Sequence, residues 1–375
     1  MSYALSNGLS ISVYFGKAEF PLSTANRITE LHIIESVQLY VPQLNLSLVD
    51  TSKFLEKLGL QDGIPITISI TNKGTTLQTL SFRLFSFSAK KENYAMKYKI
   101  TAYLDLPVYW NGLATKAFRG TSSDALSALA SECGLSYIGA ITSDSQLWTP
   151  GCSKNCEYAK YIAERGYASE TSCMVLGITM LKGMIYANIM DLADPIITLR
   201  ALNTNSDDEC LVSSYKVSAA SGMNVSNGGY YMTRVKQSVV ADAHTDKIES
   251  VTVKQNVSSP SINSVVRGMF NKQIITYAPI DCGNVSKHFE DAVYQNKRLK
   301  GLYTVNAEFI CVGITPLTLC VPFNFYAVDS EGKPDEKDSG IYVTTARILY
   351  IDDSSRYYEK ILASRIGTNA KYYAN

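Results

Sequence analysis

Histidine is the side chain best suited to proton transfer near neutral pH, and the chain has three histidines. His32, His244 and His288 lie far apart in the sequence, and each has ordinary neighbours. A catalytic histidine needs a partner that orients it or that takes its proton. Each histidine is therefore expected to be structural or exposed, unless the fold brings them together.

Two cysteines and two glutamates share a stretch with helical spacing. Cys152 and Cys156 are expected on one face of a helix, where two thiols can begin a metal site, but no second pair of Cys or His with matching spacing lies nearby. Glu157 and Glu164 fall on the outer side of that helix, beside lysines and an arginine. A solvated, ion-paired helix face is the simpler interpretation.

The common catalytic and nucleotide-binding motifs are absent from the sequence. It has no G-x-x-x-x-G-K-[ST], G-x-G-x-x-G, G-x-S-x-G or H-E-x-x-H pattern, which excludes the usual phosphate loop, dinucleotide loop, nucleophile elbow and zincin helix. We therefore predict no catalytic, cofactor-binding or metal-binding residue, and a protein that is not an enzyme.

The charge balance argues against a nucleic-acid coat. Lys and Arg number 35 against 34 Asp and Glu, a net charge of +1, and only 18% of residues are charged. The 25 tyrosines and the low charge favour surfaces that meet other proteins. Six tyrosines near the C-terminus have two interpretations, sheet formers or interface anchors: Tyr342, Tyr350, Tyr357, Tyr358, Tyr372 and Tyr373.

The sequence predicts synthesis in the cytoplasm and no stable membrane association. Met1 to Phe15 has no secretory signal pattern, and the eight cysteines are scattered as expected for reduced thiols. Phe309 to Val328 is uncharged and long enough to span a bilayer. Its prolines and its period of two instead predict a half-buried strand, Pro316 to Val328, with a turn before it.

Three kinds of element must position these residues. Residues 10–104 alternate between apolar and polar side chains, which predicts antiparallel strands, a short helix capped by Asp50 or Thr51, and a long hairpin around Leu80 to Leu104. At Thr121-Ser-Ser-Asp124 a capping-box pattern starts a helix that ends at Gly134.

Further elements follow to the C-terminus. A second helix is expected near Ser153 to Gly166, followed by strands Met174 to Ile178 and Met184 to Met190. Residues 218–263 carry weak patterns, and a helix is expected at about 287–300. Strands at Tyr303 to Cys311 and Gly340 to Asp352 complete a second β unit much like the first, although no sequence repeat supports a duplication.

Three segments carry a resemblance to known proteins. The first, residues 121–178, joins the capped helix to Asp144-Ser-Gln-Leu-Trp148 and to Tyr158-x-x-Tyr161-Ile162-Ala163-Glu164-Arg165-Gly166-Tyr167. The second is Ala292 to Leu299 with the later Pro316-Leu-Thr-Leu, and the third is Tyr357-Tyr358 to Leu362-x-x-Arg365-x-Gly367-x-Asn369. In these segments the chain resembles the phage tail baseplate hub family, whose fold is shared by the N-terminal part of type VI secretion spike proteins. Val321-Pro322 departs from the glycine that the family often has near this turn.

The resemblance implies a mainly β fold with an α/β insert. It places a tail-tube-like antiparallel β-barrel domain at 1–110, a small α/β domain at 111–205, and a second such barrel at 206–375 with the helix near 287–300. We expect Trp148 to be buried between the helices of the insert, because a large aromatic side chain between amphipathic helices is more useful as core.

The resemblance also implies a structural function in the phage tail baseplate of the virion, with assembly in the bacterial host cytoplasm. The chain would form a homotrimer, a pseudo-sixfold ring that joins the tail tube protein hexamer to the spike or tip protein, among other baseplate proteins. A channel would pass the tape measure protein and then DNA, and its surface is expected to be neutral or acidic. The alternatives are a β-rich hydrolase, a carbohydrate-binding protein and a receptor-binding tail protein.

Overall fold

The computed structural model is mainly β, with 52% strand and 13% helix. It describes residues 3–5, 8–39, 41–72, 75–169, 172–201, 211–219, 231–238, 247–254, 274–277, 303, 305–311, 314–328, 331–333, 335 and 338–365. The predicted fold class, mainly β with an α/β insert, is confirmed.

The first β unit is an antiparallel sheet in the order β1-β2-β6-β7-β8-β5-β4, with β3 paired to β2. Alternate residues of these strands are buried, as the sequence predicts, so that Ile66, Ile68 and Ile70 of one strand lie in the core. The bounds are β1 Tyr3–Ala4, β2 Leu9–Phe15, β3 Ala18–Glu19, β4 Arg27–Ser36, β5 Gln43–Asp50, α1 Phe54–Leu58, β6 Pro65–Asn72, β7 Thr75–Glu92 and β8 Ala95–Leu104.

The predicted hairpin is β7 and β8, joined at Asn93-Tyr94. Asn93 takes a positive φ of 53°, which asparagine tolerates better than most residues. The short helix α1 is capped by Asp50, whose Oδ2 accepts the backbone N–H of Leu55 at 2.9 Å. Gly59 ends α1 with a φ of 67°.

The insert follows as helices packed on small sheets. A three-stranded sheet has the order β10-β13-β12, and β9 pairs with β11. Strand Met174–Ile178 matches its prediction. The bounds are α2 Pro107–Asn111, β9 Phe118–Gly120, α3 Ser122–Glu132, β10 Ser136–Gly139, β11 Gln146–Trp148, α4 Asn155–Arg165, β12 Met174–Ile178 and β13 Gly183–Asn188.

Both long helices of the insert begin with backbone N–H groups that carboxylates satisfy. Thr121 and Asp124 form the predicted capping box: Thr121 Oγ1 accepts the Asp124 N–H at 3.1 Å, and Asp124 Oδ2 accepts the Thr121 N–H at 3.0 Å. Helix α4 begins at Asn155, later than Ser153, and Glu157 accepts the N–H of Lys154 at 3.0 Å. Cys152 precedes it with a φ of 56°, which is not helical.

The second β unit is a closed barrel of six strands. Its order is β21-β20-β14-β15-β19-β22, and β22 pairs back to β21. A separate sheet has the order β17-β16-β18. The bounds are β14 Thr198–Ala201, β15 Leu211–Ala219, β16 Tyr231–Ser238, β17 Lys247–Lys254, β18 Ile274–Tyr277, β19 Val305–Cys311, β20 Pro322–Tyr326, β21 Gly340–Ile351 and β22 Tyr357–Arg365. Strand β14 thus lies in the barrel, inside the range 111–205 predicted for the insert.

The predicted strand Pro316 to Val328 is wrong in its bounds, because only Pro322–Tyr326 is a strand. Cys320 has a φ of 60°, which breaks extended backbone, and its N–H donates to Thr344 O at 2.9 Å. Leu317 and Leu319 are nevertheless buried. The alternation with a period of two therefore marks buried residues here, although the segment is not a strand. The helix predicted at about 287–300 lies outside the described residues.

The two β units share one sheet. Strand β4 of the first unit pairs antiparallel with β21 of the barrel, from Leu31 opposite Ile351 to Ser36 opposite Ala346. The hydrogen-bonded sheet therefore continues from one unit into the other. Within the described residues, no helix is long and apolar enough to cross a membrane.

Candidate functional site

One row of side chains crosses both β units on the exposed face of the shared sheet. Cα partners in neighbouring antiparallel strands point to the same face. Successive pairings through β7, β8, β5, β4, β21 and β22 give a continuous row, here called the polar row: Ser86, Thr101, Asn45, His32, Tyr350 and Tyr358.

The opposite face of these strands forms the core. On β8, β5, β4, β21 and β22 the neighbours of the polar row along the strand, such as Leu44, Ile33 and Leu349, are buried. On β7, Phe85 and Phe87 on either side of Ser86 are exposed. The row itself is half-buried or exposed. Asn45 Oδ1 accepts from Gln43 Nε2 at 2.9 Å, which fixes its amide on this face. Alternation along the strands thus produces a polar surface that spans both units.

Charges at both ends of this surface are paired. At the hairpin end, Glu92 lies 2.5 Å from Lys97 Nζ and 3.2 Å from Lys90 Nζ. At the barrel end, Lys360 Nζ lies 2.7 Å from Glu308 Oε1. Hydroxyls, an amide and rings fill most of the space between, together with the exposed Lys99, which lies opposite Ser47 and Ser88.

The structure places His32 in the polar row and not in a catalytic cluster. Its ring lies 4.5 Å from the Tyr350 ring, which in turn lies 4.5 Å from the Tyr358 ring, measured between centroids. Its Nε2 lies 3.3 Å from Glu30 Oε1. His244 and His288 lie outside the described residues.

The tyrosines near the C-terminus fall into two groups. Tyr342 and Tyr357 are buried in the core, whereas Tyr350 and Tyr358 face the polar surface. All four lie on β21 or β22, as the interpretation as sheet formers predicts, and the interpretation as interface anchors stays a prediction. Tyr372 and Tyr373 lie outside the described residues.

The sequence-predicted pair of thiols is not on one helix face. Cys156 is buried on α4, and Cys152 is exposed before the helix begins. Glu157 is exposed and Glu164 lies 3.4 Å from Lys160, as expected for a solvated face. Among the described residues, no group of three or more His, Cys, Asp or Glu side chains is placed to hold a metal ion.

A buried ionic cluster, here called the junction cluster, lies behind the polar row. Arg347 on β21 donates to Glu359 Oε1 on β22 at 2.7 Å, and Glu359 Oε2 accepts from the Thr315 hydroxyl at 2.7 Å. The hydroxyl of Tyr357 donates to Glu359 Oε1 at 3.0 Å. Glu35 on β4 is the cross-strand neighbour of Arg347. No sequence motif marks these residues, which lie far apart in the chain.

Glu35 also binds the insert. Its Oε2 accepts the backbone N–H of Met180, in the turn between β12 and β13, at 2.6 Å. Burial raises the pKa of Glu35 to about 7, against the opposing effects of Arg347 and the Met180 N–H. Glu35 of the first β unit is therefore bonded to the insert and lies opposite Arg347 of the barrel.

Trp148 is the buried centre of the insert, as predicted, with 1% of its surface exposed. It lies on β11, and its Nε1–H donates to Gly120 O at 3.1 Å, next to the start of α3. The Tyr158 hydroxyl of α4 donates to the Trp148 carbonyl at 2.8 Å. The Trp148 side chain thus bonds β9, and its backbone carbonyl bonds α4.

Comparison with known proteins finds solved structures that are similar to this one, and the sequence comparisons find no match. No protein-family model matches the chain, and no curated protein matches it in sequence. The 43 kDa tail protein of prophage MuSo2 from Shewanella oneidensis is similar with a TM-score of 0.63 at 10% identity, over 95% of this chain and 98% of that one. A tail protein from Neisseria meningitidis is similar with a TM-score of 0.60 at 12% identity, over 98% of this chain and 100% of that one.

A type VI secretion protein also shares the architecture. The c3393 protein of E. coli, described as a component of that system with structural similarity to bacteriophage T4 tail proteins, is similar with a TM-score of 0.50 at 9% identity, over 97% of this chain and 79% of that one. The fold is that of phage tail proteins. The resemblance stated from three short sequence segments is confirmed at the level of fold.

Proposed function

We propose that this chain is a structural protein of a phage tail baseplate, the hub ring that joins the tail tube to the spike. The observation that carries the proposal is likeness to two phage tail proteins over at least 95% of this chain and 98% of theirs. Because a fold can host several functions, the proposal also needs a surface suited to the role.

The polar row supplies that surface. A channel for a passing polymer needs a continuous face that spans the ring and does not hold its cargo. The shared sheet is continuous from one β unit to the other, and its exposed face has hydroxyls, an amide and the single lysine Lys99 between paired charges. Phosphate contacts would instead require unpaired Lys and Arg in number. We infer that this face lines the channel.

The proposed oligomeric state follows from the presence of two β units in one chain. Three copies would present six β units to a sixfold tail tube, which is a pseudo-sixfold homotrimer. The proposed domains are 1–110, 111–205 and 206–375, with β14 of the middle range contributing a strand to the second barrel. The proposed partners are the tail tube hexamer, the spike or tip protein, the tape measure protein and other baseplate proteins, with DNA as a passenger. The role is structural, in the virion after assembly in the host cytoplasm.

The mass of the assembled chain tests the proposal. Size exclusion coupled to light scattering should give three times the 41.3 kDa chain mass, alone or once tube or spike protein is added. A chain that stays monomeric and joins neither partner would contradict the hub function.

A further inference from the structure

The junction cluster brings two carboxylates to one guanidinium, away from water. Arg347 forms an ion pair with Glu359 at 2.7 Å, and the exposed fractions of the two side chains are 6% and 0%. The charge of Arg347 is therefore already balanced by Glu359. Glu35, whose surface is 0% exposed, lies opposite Arg347 in the β4–β21 pairing.

The contacts of Glu35 leave one of its oxygens without a partner. Oε2 accepts the Met180 N–H, whereas Oε1 is buried with no hydrogen-bond partner among the described residues. An ionised carboxylate is costly to bury unless each oxygen is paired or hydrogen-bonded. A neutral carboxyl loses much less on burial, so this site favours the protonated form.

The groups that surround Glu35 come from three parts of the fold. Arg347 lies on β21, and Glu359, with the Tyr357 hydroxyl bonded to it, lies on β22. The insert contributes the Met180 N–H. On β4 itself, His32 lies on the opposite, exposed face, beside Glu30. The second carboxylate opposes ionisation of Glu35, and Arg347 and the Met180 N–H favour it.

We propose that a proton on Glu35 holds the insert and the first β unit against the barrel, and that loss of this proton weakens the junction. Ionisation places a net negative charge among two carboxylates and one guanidinium in a buried site. Opening of the junction brings Glu35 to solvent and frees the Met180 N–H, because this amide is bonded to the Glu35 carboxyl in the closed state.

The sign of the pH dependence follows from linkage. The carboxyl of Glu35 has a pKa of about 7 in the closed junction and 4.5 when exposed. A group whose pKa is raised in the closed state stabilises that state at low pH, and the contribution is lost as the pH rises through 4.5 towards 7. By about pH 8 the closed junction itself is ionised, and nothing further is lost.

Hydrogen exchange at the Met180 amide tests the proposal on the full chain. Protection, corrected for the intrinsic exchange rate at each pH, should fall about tenfold between about pH 6 and about pH 8 in the natural protein. The variant Glu35→Gln keeps an acceptor for the Met180 N–H and cannot ionise, so its protection should be equal at both pH values.

Glu30→Gln is the matched control, since Glu30 lies on the same strand and its side chain is 52% exposed. It should keep the tenfold fall. Equal protection of the natural protein at both pH values would overturn the proposal, even if Glu35→Gln failed to fold. A fall that persists in Glu35→Gln, or that disappears in Glu30→Gln, would overturn it too, because another group would then carry the effect.

Discussion

Some single residues in this chain connect several secondary-structure elements. Trp148 is bonded to β9 and α4, and Glu35 on β4 is bonded to the insert and lies opposite Arg347 of the barrel. Both side chains are almost completely buried. At this scale, removing one side chain is expected to loosen several elements at once.

Trp148→Ala should destabilise the protein by about 3–5 kcal/mol, because it leaves a large cavity and removes the bond to Gly120 O. Denaturant unfolding measures the loss. Tyr94→Ala is the control, since Tyr94 is 99% exposed at the hairpin turn and its removal should change stability by less than about 0.5 kcal/mol. Unchanged unfolding of Trp148→Ala would show that the ring contributes no packing.

The burial of Trp148 could be predicted from the sequence, whereas the junction cluster was missed. Glu35, Arg347 and Glu359 are far apart in the chain, and only the pairing of β4, β21 and β22 brings them together. A signal was nevertheless present. Each of the three occupies a core-facing position in an otherwise apolar alternation, as Glu35 does after Leu31 and Ile33.

At the scale of elements, local patterns predicted most strands and helices of the first β unit and the insert. Alternation and capping act between residues close in sequence, and they hold for β6, β8 and α3. Local patterns do not predict elements whose position depends on contacts between residues far apart in the sequence. The four-residue β14 is too short for a pattern, and Leu317 and Leu319 are buried by turns rather than by a strand.

Helix α3 offers a test at this scale. Thr121→Ala removes the side-chain oxygen that accepts the Asp124 N–H, so it should cost about 1 kcal/mol of unfolding free energy. Thr121→Ser keeps the hydroxyl and should stay close to the natural protein in the same denaturant titration. Equal losses in both variants would mean that the methyl group, and not the cap, matters.

At the scale of the whole molecule, the charge balance predicts how strongly the protein binds DNA. With a net charge of +1, and with Lys97 and Lys360 of the polar surface paired to glutamates, few phosphates can be neutralised. Free duplex DNA should therefore bind weakly and with little dependence on salt. Titration of labelled DNA at two salt concentrations measures this. Tight binding that collapses with added salt would instead favour a nucleic-acid-binding function.

The central claim is that three copies form a ring whose channel is lined by the shared sheet. A cryo-electron microscopy reconstruction of the assembled chain, with tube or spike protein if needed, tests it most directly. We predict a threefold ring with an open centre, in which Asn45, His32 and Tyr350 face the axis. A closed particle, a different symmetry, or a ring with these residues on its outer surface would contradict the account.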